Sequence, residues 1–202
     1  MRVSSFMAGL ALLLCLGGAE AFAQSQAAFM RVTGKTTQPV GHHELCARIP
    51  IECRERTATE DAVKLTPVLW QELIAVNDNV NTAIEPVTDK DNYGKDEYWN
   101  YPDDGKGDCE DFVLLKRREL LDRGWPAGAL LITVVKQVNG DGHAVLTVRT
   151  DRGDLVLDNL ESRIKLWSDT DYQFVKRQSD VDSGRWVAID DDRSVLVGSI
   201  KR

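Results

Sequence analysis

The chain has 202 residues, a formal net charge of −7 and an isoelectric point near 5.0. One domain is the default expectation at this length. Binding to the phosphates of nucleic acid needs clustered lysines and arginines, so the acidic balance argues against a nucleic-acid partner. Hydrophobic residues make up 43% of the sequence and charged residues 28%, which is typical of a globular protein and excludes a disordered or fibrous chain.

The first 23 residues have the pattern of a secretory signal peptide. Arg2 supplies a positive charge, and residues 7–16 (MAGLALLLCL) form an apolar core. Residues 21–23 (AFA) fit the small-x-small rule for cleavage, with residues 19–21 (AEA) as a second option. The apolar run is too short to span a bilayer, which takes about 20 residues. We therefore expect residues 1–23 to be removed, no transmembrane segment to remain, and the mature chain to lie in a bacterial periplasm.

Export changes the interpretation of the four cysteines. Cys15 leaves with the signal peptide, so the mature chain keeps Cys46, Cys53 and Cys109. In an oxidising compartment an odd number indicates one disulfide and one free thiol. Cys46 and Cys53 are close in sequence and form the natural pair, with two unpaired thiols as the alternative. The C-x6-C spacing lacks a second pair of ligands, which disfavours a zinc site.

The N-terminal half of the mature chain predicts helices and a long loop. Residues 24–45 are rich in Gln, Thr and Gly, and we expect a flexible leader there, before a domain at 46–192. Thr66-Pro67 has the pattern of an N-cap followed by proline at the first helical position, and apolar residues recur at helical spacing from 69 to 84. Residues 87–107 are polar, aromatic and without periodicity, which favours a functional loop.

A second helix is predicted over residues 109–123, with Asp108 as its N-cap and Gly124 just beyond its end. The Lys116–Arg118 run is expected to be a solvated face of this helix. Helices followed by an antiparallel meander indicate the α+β class, with the second helix packed on the sheet. The strands are expected at 129–138, 143–150, 154–160, 172–177 and 185–189, and residues 193–202 as a C-terminal strand or tail.

Three side chains have the residue types and positions of a thiol catalytic triad. Cys109 falls in the first turn of a helix, where free N–H groups and the macrodipole favour a thiolate and offer donors to an oxyanion. His143 begins a strand, and Asp158 ends the next apolar strand, where an unpaired carboxylate is costly. We expect Cys109 to be the nucleophile, His143 the base and Asp158 the residue that orients the base.

The turn between the two strands decides how His143 and Asp158 meet. A two-residue loop at Thr150-Asp151 places His143 directly opposite Asp158, and a longer turn shifts the pair by two or three residues. Either arrangement predicts neighbouring or diagonal contact across the antiparallel pair.

The motifs around these residues resemble those of the bacterial transglutaminase-like cysteine proteinases. The resemblance lies in residues 107–112 (GDCEDF), 142–146 (GHAVL) and 156–159 (VLDN), and it covers about residues 46–190. It implies a papain-like, transglutaminase-like α+β fold. It also implies a Cys-His-Asp triad at the three positions already singled out.

The LapG-type branch of that family consists of periplasmic proteases that clip large surface adhesins and require calcium. The resemblance therefore implies a protein substrate in the cell envelope, calcium bound near Asp108 and Glu110, and an inner-membrane receptor as a regulatory partner. The alternative is that Asp108 caps the helix and that Glu110 and Asp111 are favoured at its N-terminus by the helix dipole. Two carboxylates do not make a calcium site, which takes about six to eight oxygens. The thiol chemistry itself requires no cofactor.

Two other functions share these features. Transglutaminase or amidase chemistry has the same first step, because only the acceptor of the acyl group differs. A binding module would use the cleft to hold a peptide without turnover, although the intact triad argues against it.

Overall fold

A computed structural model describes residues 28–57 and 62–193. The predicted signal peptide (1–23) and residues 194–202 of the predicted tail lie outside the described residues. The helices are α1 (Val40–Arg48), α2 (Pro67–Ala83), α3 (Asp89–Tyr93) and α4 (Cys109–Asp122). The strands are β1 (Val32–Thr36), β2 (Glu85–Pro86), β3 (Lys106–Gly107), β4 (Leu130–Lys136), β5 (Gly142–Thr150), β6 (Gly153–Leu157), β7 (Lys165–Leu166), β8 (Gln173–Gln178) and β9 (Trp186–Ile189).

Seven of these strands form one antiparallel sheet in the order β1-β9-β8-β4-β5-β6-β7. Strands β2 and β3 form a separate short parallel pair. The helices α2 and α4 precede the meander and pack on one face of the sheet, so the predicted α+β class is confirmed. Among the described residues, every helix is too short or too polar to cross a bilayer.

The α2 helix begins and ends where its sequence predicts. The Thr66 hydroxyl accepts a hydrogen bond from the Leu69 N–H at 3.2 Å, and Pro67 occupies the first helical position, where no N–H is needed. The apolar stripe turns inward and buries Leu73 and Val76. The helix ends at Ala83, three residues before Pro86, which lacks the N–H that a further turn requires.

The α4 helix begins at its predicted residue and ends one residue before the predicted end, but its start is capped differently. Asp108 holds the N-cap position without a side-chain capping bond, and its carboxylate accepts instead from the Asp89 N–H at 3.2 Å. At the other end Gly124 adopts a φ of +90°, a left-handed conformation that side chains disfavour, and its N–H closes the helix on the Leu121 carbonyl.

Two hydrophobic layers hold the sheet. The larger one lies between the sheet and the helices α2 and α4. The smaller one covers the opposite face, where Trp167 packs edge-on against Phe174 at 5.5 Å between ring centroids. The largest fully buried apolar side chains are Trp186, Phe112, Leu45, Leu73, Leu114, Leu120, Leu130, Leu131, Ile132, Leu146 and Leu157.

The prediction of a flexible leader over 24–45 is wrong for the described residues of that range. Strand β1 pairs antiparallel with β9, and α1 buries Leu45 completely. Gly41 faces the Trp99 ring so closely that a β-carbon there would lie 2.2 Å from its Cδ1. Strand β1 is an edge strand with mostly exposed side chains, so its sequence lacks the alternation that predicts a half-buried strand.

The prediction that Lys116–Arg118 is a solvated helix face is also wrong for its first two residues. Lys116 is 0% exposed and Arg117 2%. The Arg117 guanidinium donates to the Leu130 carbonyl at 3.1 Å and pairs with the Glu52 carboxylate at 3.3 Å. Only Arg118 remains partly exposed, where it binds the exposed Asp103. A run of basic residues on a helix is commonly solvated. This one is buried because neighbouring elements of the fold enclose it, which the local sequence does not indicate.

The predicted disulfide between Cys46 and Cys53 is confirmed. It joins α1 to the short 3-10 turn at Pro50–Cys53. Beside it lies His42, which is fully buried and accepts a hydrogen bond from the Trp186 indole at 3.2 Å. Burial and the Arg117 charge lower the pKa of His42 to about 4, so its imidazole is neutral at pH 7.

Replacing both disulfide cysteines tests how much this closed loop stabilises the fold. We expect Cys46→Ser/Cys53→Ser to reduce the free energy of unfolding by about 2 kcal/mol, because the unfolded chain regains the entropy of a short loop. The melting temperature should fall by about 5 °C in calorimetry. Wild-type protein treated with a thiol reductant is the control and should show the same loss. An unchanged melting temperature in both would contradict the prediction.

Candidate active site

The Cys109 thiol lies where α4 meets β5. The residue is partly buried, and the backbone N–H of Ala144, the residue that follows His143, acts on the thiol to lower its pKa. The thiol itself donates to Glu110 Oε2 at 3.2 Å. The packing of α4 on β5 therefore brings the start of the helix to the strand that carries the histidine.

His143 and Asp158 form a buried pair. The distance between His143 Nε2 and Asp158 Oδ1 is 2.8 Å, and each side chain is 3% exposed. The strand register differs from the one that places them directly opposite, since Leu146 pairs with Leu157 and the loop is Asp151-Arg152. Asp158 follows the last residue of β6, and it meets His143 along the diagonal.

A third side chain, Tyr172, completes the surroundings of Asp158. Its hydroxyl donates to Asp158 Oδ2 at 2.5 Å, and its ring lies 5.5 Å from the His143 ring between centroids. The Leu160 N–H donates to Asp158 Oδ1 at 3.0 Å. Sequence reasoning missed Tyr172, because it precedes β8 and only the chain path after β7 brings it to this carboxylate.

The charge of Asp158 is stabilised by these contacts. Burial alone would raise the pKa of its carboxyl group, but the hydrogen bond and charge of His143, together with the bonds from Tyr172 and Leu160, hold the pKa below its usual value. An ionised carboxylate bonded to Nε2 fixes one tautomer of the imidazole and leaves Nδ1 to exchange a proton. A pocket of about 220 Å³ opens beside Asp158 and Tyr172.

The electrostatic environment of the Cys109 thiol is the opposite of the one expected at a helix start, because it raises the pKa of the thiol. Burial raises the pKa of Cys109 well above its usual value, and the negative charges of Glu110 and Asp108 act in the same direction. The helix N-terminus favours a thiolate. The thiol is nevertheless neutral in this electrostatic setting, because the flanking carboxylates oppose that effect.

The flanking carboxylates belong to a buried acidic cluster, which consists of Asp89, Asp108, Glu110 and Asp111. The carboxylate oxygens of Asp89, Asp108 and Asp111 lie within 4.8 Å of one another, and Asp108 and Glu110 form a second such group with Cys109. Burial raises the pKa of Glu110 to about 10 and that of Asp111 to about 8, with Asp108 adding repulsion in each case. Burial also raises the pKa of Asp89.

Each residue of the acidic cluster has one oxygen that is buried without a hydrogen-bond partner among the described residues. These oxygens are Asp89 Oδ1, Asp108 Oδ1, Glu110 Oε1 and Asp111 Oδ2. The sequence singled out Asp108 and Glu110 only. Asp111 lies in the first turn of the helix, where the dipole alone accounts for an acidic residue, and Asp89 is distant in sequence and reaches the cluster through the loop. Convergent oxygens without donors are the arrangement that a hard cation such as calcium stabilises.

A thiol at the start of a helix, packed against a sheet that carries a buried His–Asp pair, places the protein in the transglutaminase-like class of thiol enzymes. Residues 32–194 match the family model described as bacterial transglutaminase-like cysteine proteinase. The chain belongs to this family and is a cysteine peptidase. No curated protein matches the chain.

Solved structures of Legionella pneumophila LapG are similar to the chain. One is 34% identical with a TM-score of 0.51, and the match covers 62% of this chain and 71% of that one. An EGTA-treated form is 32% identical with a TM-score of 0.51, covering 67% and 76%. A calcium-bound form is 27% identical with a TM-score of 0.49, covering 79% and 82%.

The contact between Tyr172 and Asp158 can be tested through stability. We expect Tyr172→Phe to reduce the free energy of unfolding by about 1–2 kcal/mol at neutral pH, because a buried carboxylate loses one of its donors. The lowered pKa of Asp158 gives stability that is present above the unfolded value near 4 and is lost as the pH falls through the folded value.

The difference between Tyr172→Phe and wild type should therefore shrink in acid, as measured by urea unfolding at about pH 7 and about pH 3. Tyr93→Phe is the matched control, since the Tyr93 hydroxyl accepts a long hydrogen bond of 3.5 Å from the Asn100 side chain. Equal losses in the free energy of unfolding for the two variants would show that the bond to Asp158 adds no stability beyond that of the control hydroxyl.

Proposed function

We propose that the protein is an exported endopeptidase that cleaves a cell-envelope protein through a Cys109–His143–Asp158 triad. The observation that carries the proposal is the 2.8 Å bond between His143 Nε2 and the buried Asp158, on the strand against which the start of the Cys109 helix packs. Membership of the cysteine peptidase family supports the same assignment.

The proposed cycle follows the chemistry of an acyl-enzyme. His143 takes the proton of Cys109 at Nδ1, and the sulfur attacks the scissile carbonyl. The oxyanion that forms faces backbone N–H groups at the start of α4. His143 then protonates the leaving amine and afterwards activates the water that releases the acyl group. Asp158 keeps the imidazole in one tautomer and stabilises its charged form.

The acidic cluster fits a calcium ion. Its four carboxylates present buried oxygens that lack donors, and repulsion among them is relieved when a cation is bound. We propose that Asp89, Asp108, Glu110 and Asp111 hold calcium. Bound calcium supplies positive charge beside Cys109, where the carboxylates otherwise oppose the thiolate.

The location and substrate rest on the sequence. The predicted signal peptide at 1–23 directs the chain to the periplasm, where a cell-envelope protein is accessible to it. The family resemblance favours a large surface adhesin as the substrate and an inner-membrane receptor as the regulator. These assignments are tested by the release of an adhesin fragment from cells, which Cys109→Ala should abolish.

Alkylation of the thiol tests the triad without a known substrate. The mature chain in calcium should take up one iodoacetamide at Cys109, since Cys46 and Cys53 are joined. At about pH 6 an ordinary thiol, with a pKa of about 8.5, is largely protonated and slow. We expect His143→Ala to slow the reaction by about 100-fold, because the imidazole no longer takes the proton. Intact mass spectrometry over time gives the rates.

The exposed His43 provides the matched control, and His43→Ala should react like wild type. Equal alkylation rates for wild type and His143→Ala would contradict the proposed triad. Hydrolysis is separated from acyl transfer by offering a fluorescent primary amine with a glutamine-containing protein. Incorporation of the amine would favour a transferase.

Thermal unfolding tests the calcium site. We expect calcium to raise the melting temperature above that in EGTA, because it binds the folded chain and relieves the repulsion of buried carboxylates. In EGTA the stability should fall as the pH rises from about 5 to about 9, since Glu110 and Asp111 have raised pKa values and must ionise while buried. Calcium should remove that dependence.

Variants assign the calcium effect to the acidic cluster. Glu110→Gln and Asp111→Asn should each raise the melting temperature in EGTA and abolish the gain from calcium. Asp96→Asn is the control, because Asp96 is 92% exposed and lies outside the cluster. A full calcium response in both cluster variants would exclude the site.

A further inference from the structure

Asp158 is bound through its side chain by one set of residues and through its backbone by another. Its carboxylate meets the His143 imidazole and the Tyr172 hydroxyl. Its carbonyl accepts a hydrogen bond of 2.8 Å from the side-chain amide of Asn81, which lies on α2. Asn81 takes no part in the cycle described above, yet it contacts a residue of the proposed triad directly.

The backbone needs a donor at this point because it leaves the sheet there. Strand β6 ends at Leu157 and β7 begins at Lys165, so residues 158–164 form a loop beyond the ladder of hydrogen bonds that joins the strands. Buried carbonyls require other partners in such a loop. Within the loop, the Leu160 N–H donates to the Asp158 carboxylate at 3.0 Å, while two of the loop carbonyls are bound from α2.

A second asparagine makes the same kind of bond one turn earlier on α2. The side-chain amide of Asn77 donates to the Ser162 carbonyl at 3.0 Å. Residues four apart lie on the same face of a helix, so Asn77 and Asn81 hold the loop at two points. Asn77 is fully buried and Asn81 is half-buried. The two bonds have the same chemistry, but only the one from Asn81 is made to Asp158.

Helix formation and packing do not account for the two asparagines. Asparagine is unfavourable inside a helix, because its amide competes for backbone hydrogen bonds. The side-chain oxygens of Asn77 and Asn81 are also buried without a hydrogen-bond partner among the described residues, which adds a desolvation cost. A leucine has a similar branched shape and would avoid both costs. The hydrogen bonds to the loop are therefore the feature that explains these residues.

Helix α2 connects this loop to the helix that begins at Cys109. It packs against α4, and the two helices share the apolar layer that covers the sheet. Close packing makes such a layer resist displacement. One element thus contacts both the helix of the thiol and the loop that begins at Asp158, and the Asn81 bond fixes the position of Asp158 relative to that element.

We propose that Asn81 is a positioning residue of the peptidase, whose bond to the Asp158 carbonyl holds the backbone of that residue where its carboxylate meets His143. The inference rests on the proposed triad, because Asn81 acts only through Asp158. Asn77 holds the same loop at Ser162 and has a structural role alone. Reactivity is sensitive to small displacements of catalytic groups, so loss of the Asn81 bond affects the thiol as well as the loop.

Asn81→Leu and Asn77→Leu separate positioning from stability. Each variant removes one amide donor, keeps the approximate shape of the side chain and deprives one loop carbonyl of its bond. We expect Asn77→Leu to lower the urea midpoint at least as much as Asn81→Leu, because Asn77 is the more deeply buried of the two. We expect only Asn81→Leu to slow the alkylation of Cys109 by iodoacetamide in calcium, by about tenfold at about pH 6.

The pH dependence of alkylation is a second measurement, which a structural role would leave unchanged. A displaced carboxylate stabilises the imidazolium less, so the thiolate–imidazolium pair forms only at higher pH. The rate profile of Asn81→Leu should therefore shift upward by about one pH unit, while that of Asn77→Leu coincides with wild type. Asn79→Leu is the control at an exposed position of the same helix and should leave the rate and the profile unchanged.

Two outcomes would overturn the inference directly. Equal slowing in Asn81→Leu and Asn77→Leu would show that the bonds from α2 affect the thiol only through the stability of the loop. An unchanged alkylation rate in Asn81→Leu would show that the Asp158 carboxylate keeps its position without the bond.

A double-mutant cycle tests whether Asn81 acts through Asp158. Asp158→Asn should slow alkylation by itself, and adding Asn81→Leu should slow it no further, because the carboxylate that Asn81 positions is already absent. Independent, multiplying losses would contradict the inference. A His143→Ala variant that reacts like wild type rejects the triad and this inference together, whereas a slow His143→Ala with a normal Asn81→Leu rejects only the role of the asparagine.

Discussion

The burial of carboxylates at the start of α4 is the constraint on which the site depends. Acidic residues at a helix N-terminus are ordinarily solvated and favourable. Here Glu110 and Asp111 point inward, and the loop before the helix encloses them: Asp111 Oδ1 accepts the Asn100 N–H at 2.8 Å, and Asp89 accepts the Tyr98 N–H. Gly107 is required as well, since a β-carbon there would lie 2.6 Å from the Asp111 β-carbon.

The same helix connects this cluster to the opposite charge deeper in the core. Its first turn buries acidic groups, and its third turn buries Lys116 and Arg117. Most of the stability comes from the apolar layer between the helices and the sheet, which lets the fold tolerate these unfavourable charges. Local rules are violated where the chemistry lies, which is the common pattern at functional sites.

The sequence predicts the elements whose pattern is local and misses those that depend on the whole fold. The cap and apolar stripe of α2, the strands after α4 and the disulfide follow from neighbouring residues. Strand β1 carries no such signal, because its side chains are mostly exposed on both faces of the sheet. Tyr172, Asp89 and the burial of Lys116 depend on contacts between distant segments, and the β5–β6 register depends on the turn geometry at Asp151-Arg152.

The position of Cys109 shows that a sequence motif does not by itself determine the pKa of a thiol. A helix N-terminus carries about half a positive charge, spread over several N–H groups. Burial raises the pKa of Glu110 to about 10, and once this carboxyl group is ionised its full negative charge lies 3.2 Å from the sulfur. In a medium of low polarity the nearer, larger charge dominates. The helix position therefore does not activate the thiol by itself, and a thiolate forms here only when positive charge balances the carboxylates. In the proposed mechanism that charge comes from the imidazolium of His143 and from a cation in the acidic cluster.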